Sequence, residues 1–223
     1  MKTKLIFSLL FSVIVLQLSA QDIKDKKEDN KKEKWIYKPN FMVGVDVLNG
    51  TVAFFSDRQL FQGFISSKVK GNTHAIIDAG FEKNRYLKNG YDATVNGPFA
   101  KIGAFYMLAT DKENELNGFY AGGKVAGSFY NQEYKAIPVR GFGGSSSSVS
   151  MPSSSQSSFW IEGIIGGRVQ LFESNFFIDV SMQPHYLIST SKQDEVQPMI
   201  VPGFGRSSSK FNMGFSWSLA YKF

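Results

Sequence analysis

The side chains best suited to chemistry are Ser181, His185, Ser189 and Glu162. On an extended strand, positions 181, 185 and 189 fall on one face, because successive side chains point to opposite sides. Glu162 belongs to the apolar–polar alternation that precedes this one. A serine, an imidazole and a carboxylate in mutual hydrogen-bond reach would make a hydrolytic triad, suited to cleaving lipid esters. The same residues also suit a satisfied polar network in a protein interior. That is the expectation here, with no catalytic residue assigned. The second histidine, His74, opens a strand and is expected at an interface beside a turn.

Other candidate sites are weaker. GFGGSSSSV (141–149) has the glycines of a phosphate loop but lacks its lysine-serine ending and a following helix. Asp111, Glu113 and Glu115 share one turn without the spacing or glycine of a calcium loop. No metal or cofactor site is expected. Cysteine is absent, which excludes disulfides, thiolate metal sites and a lipidated N-terminal cysteine.

These groups must be positioned by strands. From Phe41 onward no long window carries a helical apolar stripe, and a period of two recurs instead. FMVGVDV places Phe41, Val43, Val45 and Val47 on one face. SSFWIEGIIGGRVQLF sets Phe159, Ile161, Ile165, Val169 and Leu171 against Trp160, Glu162, Ile164, Gly166, Arg168 and Gln170. NFFIDVSMQPHYLI, GPFAKIGAFYMLA and GFYAGGKVAGSFY alternate in the same way, and LFQGFISSKV and HAIIDAGFEKN do so more weakly. The chain closes on KFNMGFSWSLAYKF, where Phe211, Met213, Phe215, Trp217, Leu219, Tyr221 and Phe223 share one face. Eight strands result. The 21 Phe, 9 Tyr and 3 Trp, with 21 Gly, suit strands better than helices.

The connections expected between these strands alternate in length. Short ones lie at 70–73, around DKENELN (111–117) and at 173–175. Long ones lie near 49–60, 85–97, 131–157 and 190–209, and the third holds the flexible-looking tract SSSSVSMPSSSQSS (145–158). Transmembrane barrels sort loop lengths by side in this way. A soluble lipocalin-like barrel has no reason to, and its apolar face points inward. The second face carries Asp46, Lys68, Asp78, Glu82, Lys101, Lys124, Glu162, Arg168 and Asp179. Inside a barrel of eight strands such opposite charges can pair. The predicted fold is therefore all-β: an eight-stranded antiparallel transmembrane barrel over residues 41–223, with short periplasmic turns and long extracellular loops.

Residues 1–21 read as a secretory signal. Lys2 and Lys4 precede an apolar run from Leu5 to Leu18, and Leu-Ser-Ala-Gln offers a cleavage site. Cleavage would lower the net charge from +6 to +4, too small and dispersed for a nucleic-acid partner. Residues 22–40 begin with six lysines and five acids over 22–34 and are expected to be a disordered leader.

VGVDV (43–47), GPFAKIGAFYML (97–108), GRVQLF (167–172), VPGFG (201–205) and the terminal aromatic strand resemble, in order and spacing, an uncharacterised family of Bacteroidetes-type outer-membrane β-barrel proteins. Lys101 stands where that pattern has an arginine. The resemblance implies a fold and a bacterial outer-membrane location reached by an N-terminal signal, but no activity.

The expected role is accordingly structural or surface-binding. The partners are outer-membrane lipid, the barrel assembly machinery during insertion, and an extracellular ligand of unknown kind. A narrow pore, a lipid-modifying hydrolase and a soluble lipocalin-like barrel are the alternatives. In VPGFG, Pro202 and Gly203 imply a fixed turn presenting Phe204 as a possible loop contact, or folding it onto the barrel rim.

Overall fold

A computed structural model describes residues 40–140, 146–194 and 196–223. The expected signal (1–21) and most of the expected leader (22–40) lie outside these residues, as do 141–145. The elements are β1 (Phe41–Asp46), α1 (Val47–Ala53), β2 (Arg58–Lys70), β3 (Thr73–Lys88), β4 (Tyr91–Thr110), β5 (Gly118–Arg140), β6 (Ser146–Gln170), β7 (Phe176–Thr190), β8 (Ile200–Val201), β9 (Gly205–Arg206) and β10 (Phe211–Lys222).

Eight of the strands form an antiparallel ring in the order β1-β10-β7-β6-β5-β4-β3-β2. Closure comes from β1, which pairs on one side with β2 and on the other with β10, Met42 against Lys222 through Asp46 against Ser218. The ring gives each barrel strand a partner on both sides, although β1 covers only residues 63–67 of β2 and 218–222 of β10, and where both partners are present the backbone groups of the wall need no water. β8 and β9 form a separate two-stranded hairpin.

Alternation sorts the side chains by polarity. Phe41, Val43 and Val45 of β1 are exposed outward, while Met42, Gly44 and Asp46 are buried. On β10, Phe211, Met213, Phe215, Trp217, Leu219 and Phe223 are exposed. Tyr221 is half-buried, its ring 5.1 Å from Phe176 and 4.9 Å from Phe223. Outward apolar runs bounded by Pro98 and Leu108, Phe119 and Phe129, and Phe159 and Val169 each span eleven residues on β4, β5 and β6. Beyond them the outward positions turn polar, as at Asn96 and Thr94, Asn131 and Lys135, and Ser157 and Ser155. Eleven residues rise about 33 Å along a strand, which at a tilt of ~40° gives a belt about 25 Å tall.

The two ends of the barrel differ, though not as the sequence suggested. At the lower end, residues 71–72, 111–117 and 171–175 join strands. At the upper end, two of the four expected long loops are continuations of strands. β3 and β4 run on to a two-residue turn at Asn89 and Gly90, both with positive φ (55° and 80°). Such a turn matches the twist of a hairpin. β5 and β6 extend to Arg140 and Ser146, so most of the serine tract is strand. Serine has little preference for strands, but pairing of Asn131 with Ser155 and of Pro138 with Ser148 satisfies the backbone there. The first upper connection contains α1, capped by the Asp46 carboxylate, which accepts from the Asn49 amide at 3.0 Å.

Candidate functional site

The lumen is built in tiers, each set by strand register. In the lowest, Arg168 and Asp179 are directly opposed on β6 and β7 and form an ion pair of 2.7 Å. Tyr120 donates to the other oxygen of Asp179 at 2.6 Å. The guanidinium lies 5.9, 5.4 and 5.7 Å from the ring centres of Phe64, Phe105 and Tyr120, a cation–π setting that offsets part of its desolvation. His74 stacks on Phe105 at 5.0 Å and is buried in the lumen, not placed at an interface. Alternation decides this, since His74 shares its face with Ile76 and Asp78.

The middle tier is a crossed pair. Asp78 and Lys101 are register neighbours, yet each reaches a different partner. Lys101 extends to Glu162 at 2.9 Å, and Lys124 extends to Asp78 at 2.8 Å. Lys124 also lies 3.6 Å from Glu162, and His185 Nε2 lies 3.1 Å from it. One carboxylate thus gathers three nitrogens from β4, β5 and β7. Burying charges is costly, and mutual pairing with near-balanced sign is what makes it sustainable. His185 Nδ1 faces the Phe204 carbonyl at 3.3 Å. Ser181 is bonded to Ser216 and Gln183, and Ser189 is exposed beyond a register shift at Phe159 and Trp160. The serines and His185 therefore do not assemble into a triad.

The upper tier is a plug. Residues 197–207 turn down into the barrel, carrying the β8–β9 hairpin. Pro198, Ile200, Val201 and Phe204 are buried. Phe204 packs on Trp160 at 5.9 Å and on His185 at 5.8 Å. This corrects the reading of Phe204 as a loop contact: its ring is inside the lumen, because burying it there removes apolar area from water. Gly203 has φ +76°, and a Cβ on it would fall 2.5 Å from the Phe99 ring. Its amide donates to Glu82 at 2.8 Å, and Arg58 pairs with the same carboxylate at 2.8 Å. Asn212 donates to the Phe204 carbonyl at 2.9 Å, and Tyr134 to the Gln197 carbonyl at 3.0 Å. Burial holds the Tyr134 phenol up at about 12, so it remains a donor at ordinary pH.

Of the remaining charges, Asp46 is buried inside, where it caps α1, accepts from Gln62 at 2.9 Å and borders the same small void as Asp78, Lys124 and Asp179. Lys68 lies at the lower rim, bonded to Glu115 of the 111–117 turn, and its ammonium holds that carboxyl below the ordinary range. Above the plug and beside it, a vestibule of about 710 Å³ opens upward, with Lys101, Gln183 and His185 at its floor. The next void down is about 10 Å³, room for a single water. Among the described residues, no group of three or more His, Asp or Glu could hold a metal ion.

The family model for a domain of unknown function, DUF6048, matches residues 2–223. The chain belongs to this family. No curated protein matches it. Among solved structures, a major outer membrane protein from Thermus thermophilus is similar at a TM-score of 0.45 and 11% identity, over 83% of this chain and 98% of that one. Neisserial surface protein A (NspA) is similar at 0.35 and 12%, over 83% and 96%.

Sequence reasoning missed the plug as a structural unit, the role of Tyr120 in the lowest tier, and Arg58. Tyr120 and Trp160 lie on the polar faces of their strands, and an aromatic among lumenal polar positions is the signal that would have found them. Arg58 was hidden in a segment read as loop.

Proposed function

We propose that this protein spans the outer membrane of a Gram-negative bacterium of the Bacteroidetes type as an eight-stranded barrel, and that it serves a binding or structural role there. The observation that carries the reading is the inverted polarity of a closed ring. Large apolar side chains circle the outside over about 25 Å, the height of a barrel's lipid-facing band. Ion pairs fill the inside. A lipocalin-like barrel needs the opposite arrangement. The end that carries the connections 71–72, 111–117 and 171–175 and Phe223 faces the periplasm in this reading, with Tyr221 and Phe223 in an aromatic girdle. The signal at 1–21 exports the chain, and the assembly machinery inserts it. The ion pairs that cross the lumen support binding over passage.

Membrane fractionation with unboiled and boiled gel samples tests this. Recovery with the outer membrane and a mobility shift on boiling is the expected result. A soluble protein with no shift overturns the reading.

A further inference from the structure

The barrel wall has a notch where β1 stops. β1 meets β10 only as high as Asp46 against Ser218, and β2 only as high as Val45 against Gly63. Above those rungs, Arg58–Gln62 of β2 and Phe211–Trp217 of β10 flank a gap that no described strand fills. α1 sits in it, with Asn49 Nδ2 donating to the Phe215 carbonyl at 3.1 Å.

The vestibule reaches this notch from within. Leu48, Val52, Met213 and Phe215 line the vestibule. They are also 38%, 44%, 40% and 60% exposed. The same four side chains therefore border the cavity and the outer apolar belt, and the two surfaces are continuous. At the polar end stand Arg206, whose guanidinium lies 5.8 Å from the Tyr86 ring, and Lys88. Neither has an acidic partner within ion-pair distance among the described residues. Arg58 and Arg85 nearby are occupied by Glu82 and Asp92. The single acid lining the vestibule is Asp57. An apolar slot open to lipid, ending under two unpaired cations, complements an anionic head on an apolar chain. The volume lies within the ~300–1,000 Å³ of ligand pockets.

We infer that the vestibule binds an anionic membrane lipid, one acyl chain lying through the β1 notch and the headgroup held by Arg206 and Lys88. This rests on the membrane-spanning reading above.

The test uses the full chain inserted in phosphatidylcholine vesicles, checked by flotation and by the gel shift, then extracted for native mass spectrometry with added phosphatidylglycerol or phosphatidylcholine. A phosphatidylglycerol adduct favoured at least ~5-fold over phosphatidylcholine is expected, since ~1 kcal/mol of charge attraction per basic residue is typical near an anionic head. R206E with K88E should abolish the preference while the gel shift persists. Val52→Trp, which fills the notch, should lower the adduct without touching the cations. Inorganic phosphate should not displace the lipid, and full displacement by phosphate would mean an anion site without a chain, overturning the proposal. Insertion with equal binding of the two lipids overturns this inference alone. Failure to float overturns the membrane reading and this inference together. If the double variant fails to fold, the comparison of the two lipids on the unaltered chain still decides.

Discussion

Glu162→Gln is the perturbation that probes the middle tier. The change keeps shape and removes one charge. Lys124 retains Asp78 at 2.8 Å, but Lys101 keeps no carboxylate, only the neutral amide oxygens at 162 and of Gln183 at 3.4 Å and the Phe99 ring at 5.6 Å. Lys101 is then a buried ammonium without a counter-charge, and breaking a buried pair in this way costs about 3–5 kcal/mol. With a urea slope of about 2 kcal/mol per M, the unfolding midpoint should fall by ~1.5–2.5 M. The assay is urea unfolding in detergent micelles, read by the boiling-sensitive gel shift and by tryptophan emission. Lys101→Met alone should cost less, because Glu162 loses its closest ammonium but keeps Lys124 at 3.6 Å and His185 at 3.1 Å. The double variant Glu162→Gln with Lys101→Met should recover part of the loss, giving a coupling of about 2 kcal/mol or more in a double-mutant cycle. A single-variant cost below ~0.5 kcal/mol, or a coupling of zero, would refute the claim that these charges hold each other in the lumen.

Gly203→Val should loosen the plug, since positive φ and the Phe99 ring both oppose a side chain. The strain of about 1–3 kcal/mol corresponds to a ~5–150-fold rise in maleimide reactivity of a cysteine placed at Ile200, and an unchanged rate would count against it. Val125→Arg, in the middle of the outward run on β5, should cost ~2–4 kcal/mol on refolding into vesicles, whereas Ser155→Arg above the belt should cost ~0–1. Equal tolerance at the two sites would remove the belt argument. Glu115 is mostly exposed and its carboxyl is held below the ordinary 4.5 by Lys68. A depressed carboxylate stabilises above its unfolded value and loses that contribution as pH falls through the folded one. The stability difference between the unaltered chain and Lys68→Ala should therefore shrink on acidification below about pH 4.5, and a difference that grows instead would refute the pair.

The period of two made the ring legible, because each strand must separate an apolar from a polar side whatever its partner. Asp78, Lys101, Lys124 and Glu162 are buried on their strands. The period did not reveal the crossing, in which Lys101 passes over its neighbour Asp78 to reach Glu162. Long flexible side chains choose partners across a lumen by distances that strand spacing does not encode. Strand ends were misread where polarity changed. Beyond the belt, Asn96, Asn131 and Ser155 look like loop residues, yet they continue the ladder because backbone pairing needs no apolar face. The plug was illegible for the opposite reason. MIVPGFG has apolar residues without a period, so nothing in its pattern said which side of the rim it would pack on. Ser189 lost its inward position to a bulge, which shifts parity by one and leaves no mark in composition.

The short first strand has a consequence for the order in which the ring forms. Hairpins such as β5–β6 and β6–β7 join residues close in sequence, whereas the β1–β10 join brings Met42 to Lys222. Loop-closure entropy and the delay of distant contacts both make such a join late. Six residues, whose pairing with β2 is local, must then capture the free edge of β10 to complete the ring. The step with the longest reach in the chain falls to the strand with the fewest rungs to reward it.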